Sequence, residues 1–204
     1  MIILGLTGSI GMGKSTTAAF FKEAGVPVWD ADASVHQLYQ KGGAAVEPVG
    51  ELCPEAITQG AVDRKHLKEW LKHHPEALLT LEAIIHPLLR EGRQQFIDHH
   101  RRRKAALVVL DIPLLFETGG EELCDATLVV SVDPEEQRRR VLMRPGITEA
   151  DFLQLLSRQM PDAEKRARAD YIIETYDKSQ TRQEVLALID HLTTGKPGDA
   201  AHCS

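Results

Sequence analysis

Residues 8–15 read Gly-Ser-Ile-Gly-Met-Gly-Lys-Ser and match the pattern G-x-x-x-x-G-K-S/T of a phosphate-binding loop. The apolar run 2–6 comes directly before this motif and predicts a strand, while the residues from Lys14 to Ala24 predict a helix that ends at Gly25. Both flanks are needed, because the strand delivers the loop and the helix directs its positive dipole end at the bound anion. The chain is therefore expected to bind a polyphosphate.

The residue types inside this loop fit a nucleotide. Glycines let the backbone approach phosphate oxygens, Lys14 can reach the β and γ phosphates, and the Ser15 hydroxyl can bind Mg²⁺. Lys14 is accordingly predicted to act in catalysis as well as in binding. The predicted nucleotide-binding residues of the loop are Gly11, Met12, Gly13, Lys14, Ser15 and Thr16.

Further apolar runs predict the rest of a sheet. Strands are expected at 26–29, 106–110, 126–132 and 170–174. Their continuous β-branched runs are typical of strands that are buried on both faces, as in a parallel sheet covered by helices. We therefore predict an α/β fold of the P-loop NTPase type with a five-stranded parallel sheet.

Three segments are expected outside this core. Residues 33–104 show helical periodicity without a strand signal and predict a helical acceptor-binding insertion. A pair of helices hinged at Pro145-Gly146 predicts a lid over 145–167, and 195–204 has the composition of a flexible tail. The nucleotide-binding core then comprises residues 1–32, 106–144 and 168–194.

Aspartates follow two of the predicted strands, where open α/β sheets bind their ligands. Asp30 and Asp32 come after the second strand, and we favour Asp32 as the group that accepts a proton from an incoming hydroxyl. Asp111 ends the third strand and is predicted, together with Ser15, to hold Mg²⁺ directly or through water. Capping of a helix or loop is the alternative for each aspartate.

The helix predicted after the fourth strand is rich in arginine. Arg140 and Arg144 are four residues apart, so we expect both on one face of the helix and both in contact with phosphate. Arg140 is predicted to stabilise the transferred phosphoryl group and Arg144 to bind the nucleotide. Arg138 and Arg139 are expected to face solvent. Glu136 precedes Arg140 by four residues, so a solvated ion pair remains the alternative.

The composition excludes several classes of partner. A formal net charge of −6 argues against binding of nucleic acid or an acidic membrane surface. The three cysteines lack C-x-x-C spacing, which predicts neither a disulfide framework nor a zinc site and fits a reducing compartment. No apolar stretch has the pattern of a signal peptide or a membrane span. We expect a cytoplasmic protein, and no protein partner is specified.

The ordered set of motifs resembles bacterial dephospho-coenzyme A kinase over residues 1–174. The resemblance implies that ATP, with Mg²⁺, phosphorylates the ribose 3′-hydroxyl of dephospho-coenzyme A in the last step of coenzyme A synthesis. The motifs that carry it are the phosphate loop, Asp30-Ala31-Asp32, His86-Pro87, the run D-I-P-L-L-F-E at 111–117, and Gln159 followed by Ala169-Asp170.

The resemblance also assigns roles to single residues. It makes Asp32 the catalytic base and places the acceptor against His86, Leu114, Leu115 and Phe116. Entry into a helix at Pro87 is the alternative explanation for the His-Pro motif.

One segment departs from the family pattern. The family usually continues its fifth strand as I-D-N-x-G near adenine, whereas residues 173–177 read I-E-T-Y-D and the chain has no asparagine. Adenine recognition is then expected to use backbone groups near Thr175 and packing against Tyr176. Asp177 would occupy a turn position where a positive φ is expected.

Three alternative functions agree less well with the sequence. Another small-molecule or nucleotide P-loop kinase, similar to shikimate kinase, also carries an aspartate pair but lacks the large insertion and the P-L-L-F-E run. A GTP-dependent switch protein needs an N-K-x-D motif, which a chain without asparagine cannot contain. A silent scaffold is disfavoured because Lys14, Ser15, Asp32 and Asp111 are all present.

Overall fold

A computed structural model of the chain describes residues 1–195, so the predicted tail 195–204 lies outside the described residues except for Gly195. The chain divides into two compact units. The first contains Met1–Trp29 and the chain from His100 onward, and the second contains Asp30–His99.

Helices and strands follow one another in mixed order along the chain, and two very short strands lie inside the second unit. In chain order the elements are β1 (Ile2–Thr7), α1 (Lys14–Glu23), β2 (Val28–Asp30), α2 (Ala31–Tyr39), α3 (Val46–Leu52), β3 (Ile57–Thr58), β4 (Ala61–Val62), α4 (Arg64–His73), α5 (Ala77–Arg102), β5 (Leu107–Asp111), β6 (Ala126–Ser131), α6 (Pro134–Leu142), α7 (Glu149–Leu156), α8 (Asp162–Arg168), β7 (Tyr171–Glu174) and α9 (Lys178–Thr194).

Within residues 1–195, five strands form the main sheet in the order β2-β5-β1-β6-β7. β1 pairs in parallel with β5 on one side and with β6 on the other, and β6 pairs in parallel with β7. The Val109 N–H donates to the Pro27 carbonyl at 2.9 Å, next to the start of β2. The predicted α/β fold with a five-stranded parallel sheet is confirmed.

The core of the first unit explains the continuous apolar strands. β5 is buried along its whole length, and β6 is buried from its second residue onward. Phe21 from α1, together with Val185 and Leu188 from α9, packs into the cluster formed by the strands. Because helices cover both faces of this parallel sheet, side chains on both faces of its strands are buried. The strand sequences are therefore continuously apolar and do not alternate between polar and apolar residues.

The second unit is mainly helical but also contains an antiparallel pair formed by β3 and β4. The expectation of no strand in the insertion is wrong here. The two-residue turn at Gln59-Gly60 has positive φ at both positions, 53° and 79°, as the hairpin turns that suit twisted strands require. Strands of two residues are too short to produce a recognisable alternation in the sequence.

The His-Pro motif lies in the interior of α5, because Pro87 is well inside Ala77–Arg102. The alternative that Pro87 marks a helix entry is therefore wrong. A proline in a helix interior removes one backbone hydrogen bond, so its presence there is a local cost to α5. Within the described part of the chain, no helix is both long enough and apolar enough to cross a membrane.

The lid helix that the sequence predicts from about Thr148 to Met160 is shorter in the structure. α7 begins with a capping box in which the Thr148 and Asp151 side chains each bond the other residue's backbone N–H, and it ends at Leu156. α8 starts after Pro161, and this helix was not predicted. A proline can follow the end of one helix or begin the next one. Pro161 alone therefore does not predict the start of α8.

Asp170 should contribute to stability by joining the starts of β6 and β7. Its Oδ2 accepts from the backbone N–H and from the hydroxyl of Thr127, both at 2.8 Å. Asp170→Ala leaves these donors without their acceptor, so we expect urea unfolding to show a loss of about 1–3 kcal/mol. Asp190→Ala, on the exposed side of α9, is the control and should stay within about 0.5 kcal/mol of the parent. Equal losses in both variants would contradict this role.

Candidate active site

The phosphate loop connects β1 to α1, as its sequence predicts. Gly11 and Gly13 have φ of 82° and 88°, which side-chain-bearing residues rarely adopt. A Cβ on Gly13 would lie 2.6 Å from the Thr175 hydroxyl oxygen. Glycine is therefore required at this position both for its conformation and for the close packing against Thr175.

Side chains from distant parts of the first unit hold the loop. The Thr175 hydroxyl donates to the Met12 carbonyl at 2.8 Å, and the Gln137 amide donates to the Ile10 carbonyl at 2.8 Å. The Ile10 N–H donates to Gln159 Oε1 at 3.1 Å. These three contacts hold the backbone of the loop in place, and a backbone held in this way loses less conformational entropy when an anion binds.

Lys14 and Asp111 form an ion pair at the edge of the sheet. Lys14 Nζ lies 2.6 Å from Asp111 Oδ1, and the Asp111 side chain is only 3% exposed. The pairing of β1 with β5 places Leu6 opposite Asp111, which brings the end of β5 beside the phosphate loop. The structure thus brings together two predicted site residues that are 97 positions apart in the chain.

The oxygen donors beside this pair suit a hard cation. A carboxylate and a hydroxyl, from Asp111 and Ser15, are ligand types that Mg²⁺ accepts. Residues 1–195 contain no group of three or more His, Cys, Asp or Glu side chains that could hold a metal ion by themselves. Mg²⁺ is usually bound by few protein ligands together with waters and substrate phosphates.

Arg140 binds the segment that supports the loop. Its guanidinium donates to the Thr175 hydroxyl at 3.0 Å and to the Thr175 carbonyl at 2.7 Å. Its Nε donates to Glu136 at 2.6 Å, so the alternative ion pair is present. In this structure Arg140 therefore acts on the phosphate loop through Thr175.

The other arginines of this region lie at the surface. Arg138 pairs with Glu149 of α7, and Arg139 pairs with Glu136, both as expected for solvent-facing groups. Arg144 is exposed and lies beyond the end of α6 at Leu142. The expectation that Arg144 shares a helix face with Arg140 is therefore wrong, because the helix ends before Pro145.

Glu136 is strongly acidic as a result of its neighbours. Hydrogen bonds from Arg139 and then from Arg140, together with their positive charge, lower the pKa of its carboxyl from 4.5 to about 2. The carboxylate is therefore charged near neutral pH, and it keeps Arg140 oriented toward Thr175.

The segment after β7 differs from what the sequence suggested. Asp177 has φ −119° and caps α9 by accepting from the Gln180 N–H at 2.8 Å, so the expected positive φ at this position is wrong. The Tyr176 hydroxyl accepts from the Asp133 N–H at 2.8 Å and donates to Asp133 Oδ2 at 3.0 Å. An N-cap takes an extended backbone, which removes the need for glycine there.

The predicted acceptor residues fall into two groups. In the first unit Leu114 is 37% exposed, whereas Leu115 and Phe116 are buried. Leu115 and Phe116 can therefore influence a bound ligand only by packing beneath residues that are exposed. His86 lies in α5, in the second unit.

The aspartate pair follows the sheet strand β2. Asp30 ends this strand and caps α2, since its carboxylate accepts from the Ala33 N–H at 2.9 Å. Asp30 thus acts as a helix cap, which was the alternative to a role in catalysis. Aspartate is common at this position for that structural reason alone. Asp32 lies in the first turn of α2.

Sequence reasoning missed the roles of Thr175, Gln137 and Gln159 around the loop. Their bonds join residues 127 to 163 positions apart, and such contacts leave no local pattern. The resemblance did single out Gln159, but without a role.

Comparison with known proteins gives a consistent result. The family profile described as Dephospho-CoA kinase matches residues 2–181. Among curated proteins, a dephospho-CoA kinase from a Jannaschia species is 59% identical over 94% of this chain and 97% of its own length. Another, from Rhizobium meliloti, is 53% identical over 96% of this chain and 100% of its own length.

Solved structures show the same likeness. A crystal structure from Thermus thermophilus has a TM-score of 0.77 at 38% identity, covering 92% of this chain and 95% of its own. Dephospho-CoA kinase from Campylobacter jejuni has a TM-score of 0.72 at 27% identity, covering 95% and 98%. The fold, the phosphate loop and these matches agree, and the chain belongs to the dephospho-CoA kinase family.

Proposed function

We propose that this protein transfers the γ-phosphoryl group of ATP to the ribose 3′-hydroxyl of dephospho-coenzyme A, which gives coenzyme A and ADP. The observation that carries the proposal is the Lys14–Asp111 pair beside a complete phosphate loop in a member of this family. A family match over most of the chain does not favour the alternative of a kinase similar to shikimate kinase.

The nucleotide would bind along the phosphate loop. The N–H groups at the start of α1 can donate to phosphate oxygens, together with those of Gly11 and Gly13. Thr16 would contribute at the same place, and in the structure its N–H also donates to the Gly13 carbonyl at 3.0 Å. Lys14 would then exchange part of its contact with Asp111 for contact with the β and γ phosphates. Arg144 remains a proposed nucleotide contact from outside α6.

Ser15 and Asp111 are the residues that would hold Mg²⁺ in this enzyme. The bound cation neutralises charge on the phosphates. Asp111 also orients Lys14 through the 2.6 Å contact, so it would order the cationic side of the site whether or not it binds the metal directly.

The acceptor contacts that we propose are those that the family resemblance implies. We propose Asp32 as the group that accepts the proton of the ribose hydroxyl, since it follows the end of β2. His86 and the exposed Leu114 would contact the acceptor, with Leu115 and Phe116 packed behind. Arg140 would place positive charge near the transferred group, held by Thr175 and Glu136.

We also propose a role for each of the two segments outside the nucleotide-binding core. Residues 33–104 would bind the acceptor, and 145–167 would form a lid that excludes water during transfer. An enzyme that consumes ATP works where ATP is supplied, and we propose the cytoplasm as its compartment.

The activity itself can be tested with purified protein. Mass spectrometry should show coenzyme A formed from dephospho-coenzyme A only when both ATP and Mg²⁺ are present, and chelation of Mg²⁺ should stop the reaction. Shikimate and nucleoside monophosphates serve as competing acceptors. Turnover of one of these without turnover of dephospho-coenzyme A would replace the proposed function with the alternative kinase.

Asp32 should be needed for the transfer and not for nucleotide binding. Asp32→Asn keeps the size of the side chain but cannot take up the proton, so kcat is expected to fall roughly 10²-fold while the Kd for ADP stays unchanged. Asp30→Asn is the matched control, because asparagine caps a helix as well as aspartate. A larger loss of kcat in Asp30→Asn than in Asp32→Asn would show that Asp32 is not the base.

Thr175 should affect nucleotide binding through the phosphate loop. Thr175→Val keeps the shape of the side chain but removes the hydroxyl that bonds Met12 and Arg140. We expect the Kd for ADP, measured by calorimetry, to rise about tenfold, near the upper end of what one lost hydrogen bond produces. Thr193→Val, on the exposed end of α9, should leave the Kd unchanged. A parental Kd in Thr175→Val would exclude this role.

A further inference from the structure

A fully buried lysine lies in the first unit, outside the phosphate loop in sequence. Lys165 of α8 is 0% exposed, and its Nζ lies 2.9 Å from Oε1 of Glu117, whose side chain is 16% exposed. The contact is an ion pair in poor hydrogen-bond alignment, and Glu117 Oε2 is buried without a hydrogen-bond partner among the described residues. Such a pair loses most of its hydration, and apolar residues of the same size often stabilise a fold as well or better.

The same carboxylate oxygen also binds the turn between α7 and α8. The Met160 N–H donates to Glu117 Oε1 at 2.8 Å. Burial alone would raise the pKa of Glu117, but the contact with Lys165 and the bond from Met160 outweigh it and keep the pKa below its usual value. Glu117 is therefore a charged carboxylate that contacts Lys165 and accepts the hydrogen bond from the Met160 N–H.

The residue before Met160 reaches the phosphate loop. Gln159 Oε1 accepts from the Ile10 N–H at 3.1 Å, while the Ile10 carbonyl is bound by Gln137. Two consecutive residues of one turn thus bind two different loops, the phosphate loop after β1 and the turn after β5. The turn after β5 is the one that contains Leu114.

We propose that Lys165 and Glu117 are positioning residues that set the phosphate loop through Gln159. In this arrangement Lys165 orients Glu117, Glu117 fixes Met160, and the neighbouring Gln159 holds Ile10 in the shape that accepts a nucleotide. The inference rests on the proposed nucleotide site. It adds a connection between that site and the turn that carries the proposed acceptor contact.

A purely structural pair makes a different prediction from a positioning pair. If Lys165 and Glu117 only stabilise the fold, replacing both with apolar residues should restore stability and binding together. If they position Gln159, stability can recover while nucleotide binding remains impaired. The free energy of unfolding and the Kd for ADP therefore separate the two roles.

The first arm of the test removes the contact with the loop. Gln159→Leu keeps the approximate size of the side chain but cannot accept from Ile10, so we expect the calorimetric Kd for ADP with Mg²⁺ to rise two- to tenfold, about the effect of one hydrogen bond. Gln154→Leu, on the exposed side of α7, is the control and should bind like the parent. A parental Kd in Gln159→Leu would overturn the proposal.

The second arm removes the buried pair. In the double variant Lys165→Met/Glu117→Met, both charges are replaced by apolar side chains, so the protein should fold with near-parental stability in urea. Its Kd for ADP should still rise as in Gln159→Leu. The matched control replaces a surface ion pair that joins α8 to β7, Arg166→Met/Glu174→Met, and should leave the Kd unchanged.

The third arm combines the two changes. Adding Gln159→Leu to the double variant should produce no further rise in the Kd for ADP. Both changes act through the same hydrogen bond between Gln159 and Ile10, so their effects should not add. Additive effects, or parental binding in the double variant, would overturn the proposal. ADP binding is measured without an acceptor, so a protein that binds ADP in this pattern but does not phosphorylate dephospho-coenzyme A would contradict only the proposed function.

Discussion

Parallel pairing of β1 between β5 and β6 is the constraint on which the site depends. Because β1 pairs in parallel with both neighbours, the loops that follow the three strands emerge at one edge of the sheet. The phosphate loop, Asp111 and Asp133 are brought to that edge in this way. Gln137 and Thr175, which bond the loop, lie after β6 and β7, and β7 pairs in parallel with β6.

The phosphate loop is held by side chains from a later part of the chain. Thr175 packs against Gly13 and bonds Met12, and Arg140 orients Thr175 in turn. A cation expected to stabilise the reaction is thus also part of the support for the loop. This arrangement couples the charge near the site to its shape, because Glu136 orients Arg140 while the low pKa of Glu136 keeps it ionised.

Much of the fold could be predicted because its elements are long and regular. The β-branched runs identified the strands of the main sheet, and glycine and proline marked most helix ends. The errors fall where local signals are weak or ambiguous. The β3–β4 hairpin is too short for a visible alternation, α8 begins at a proline that also ends the previous segment, and α6 stops before Arg144.

The sequence by itself determined the phosphate loop, the order of the strands along the chain and the family resemblance, since these depend on residue types at fixed spacing. Only the tertiary structure decided which side chains meet. It paired Lys14 with Asp111, Arg140 with Thr175, and Lys165 with Glu117. These contacts join residues that lie far apart in the chain, and the packing of the folded sheet and its helices, rather than any local propensity, brings them together.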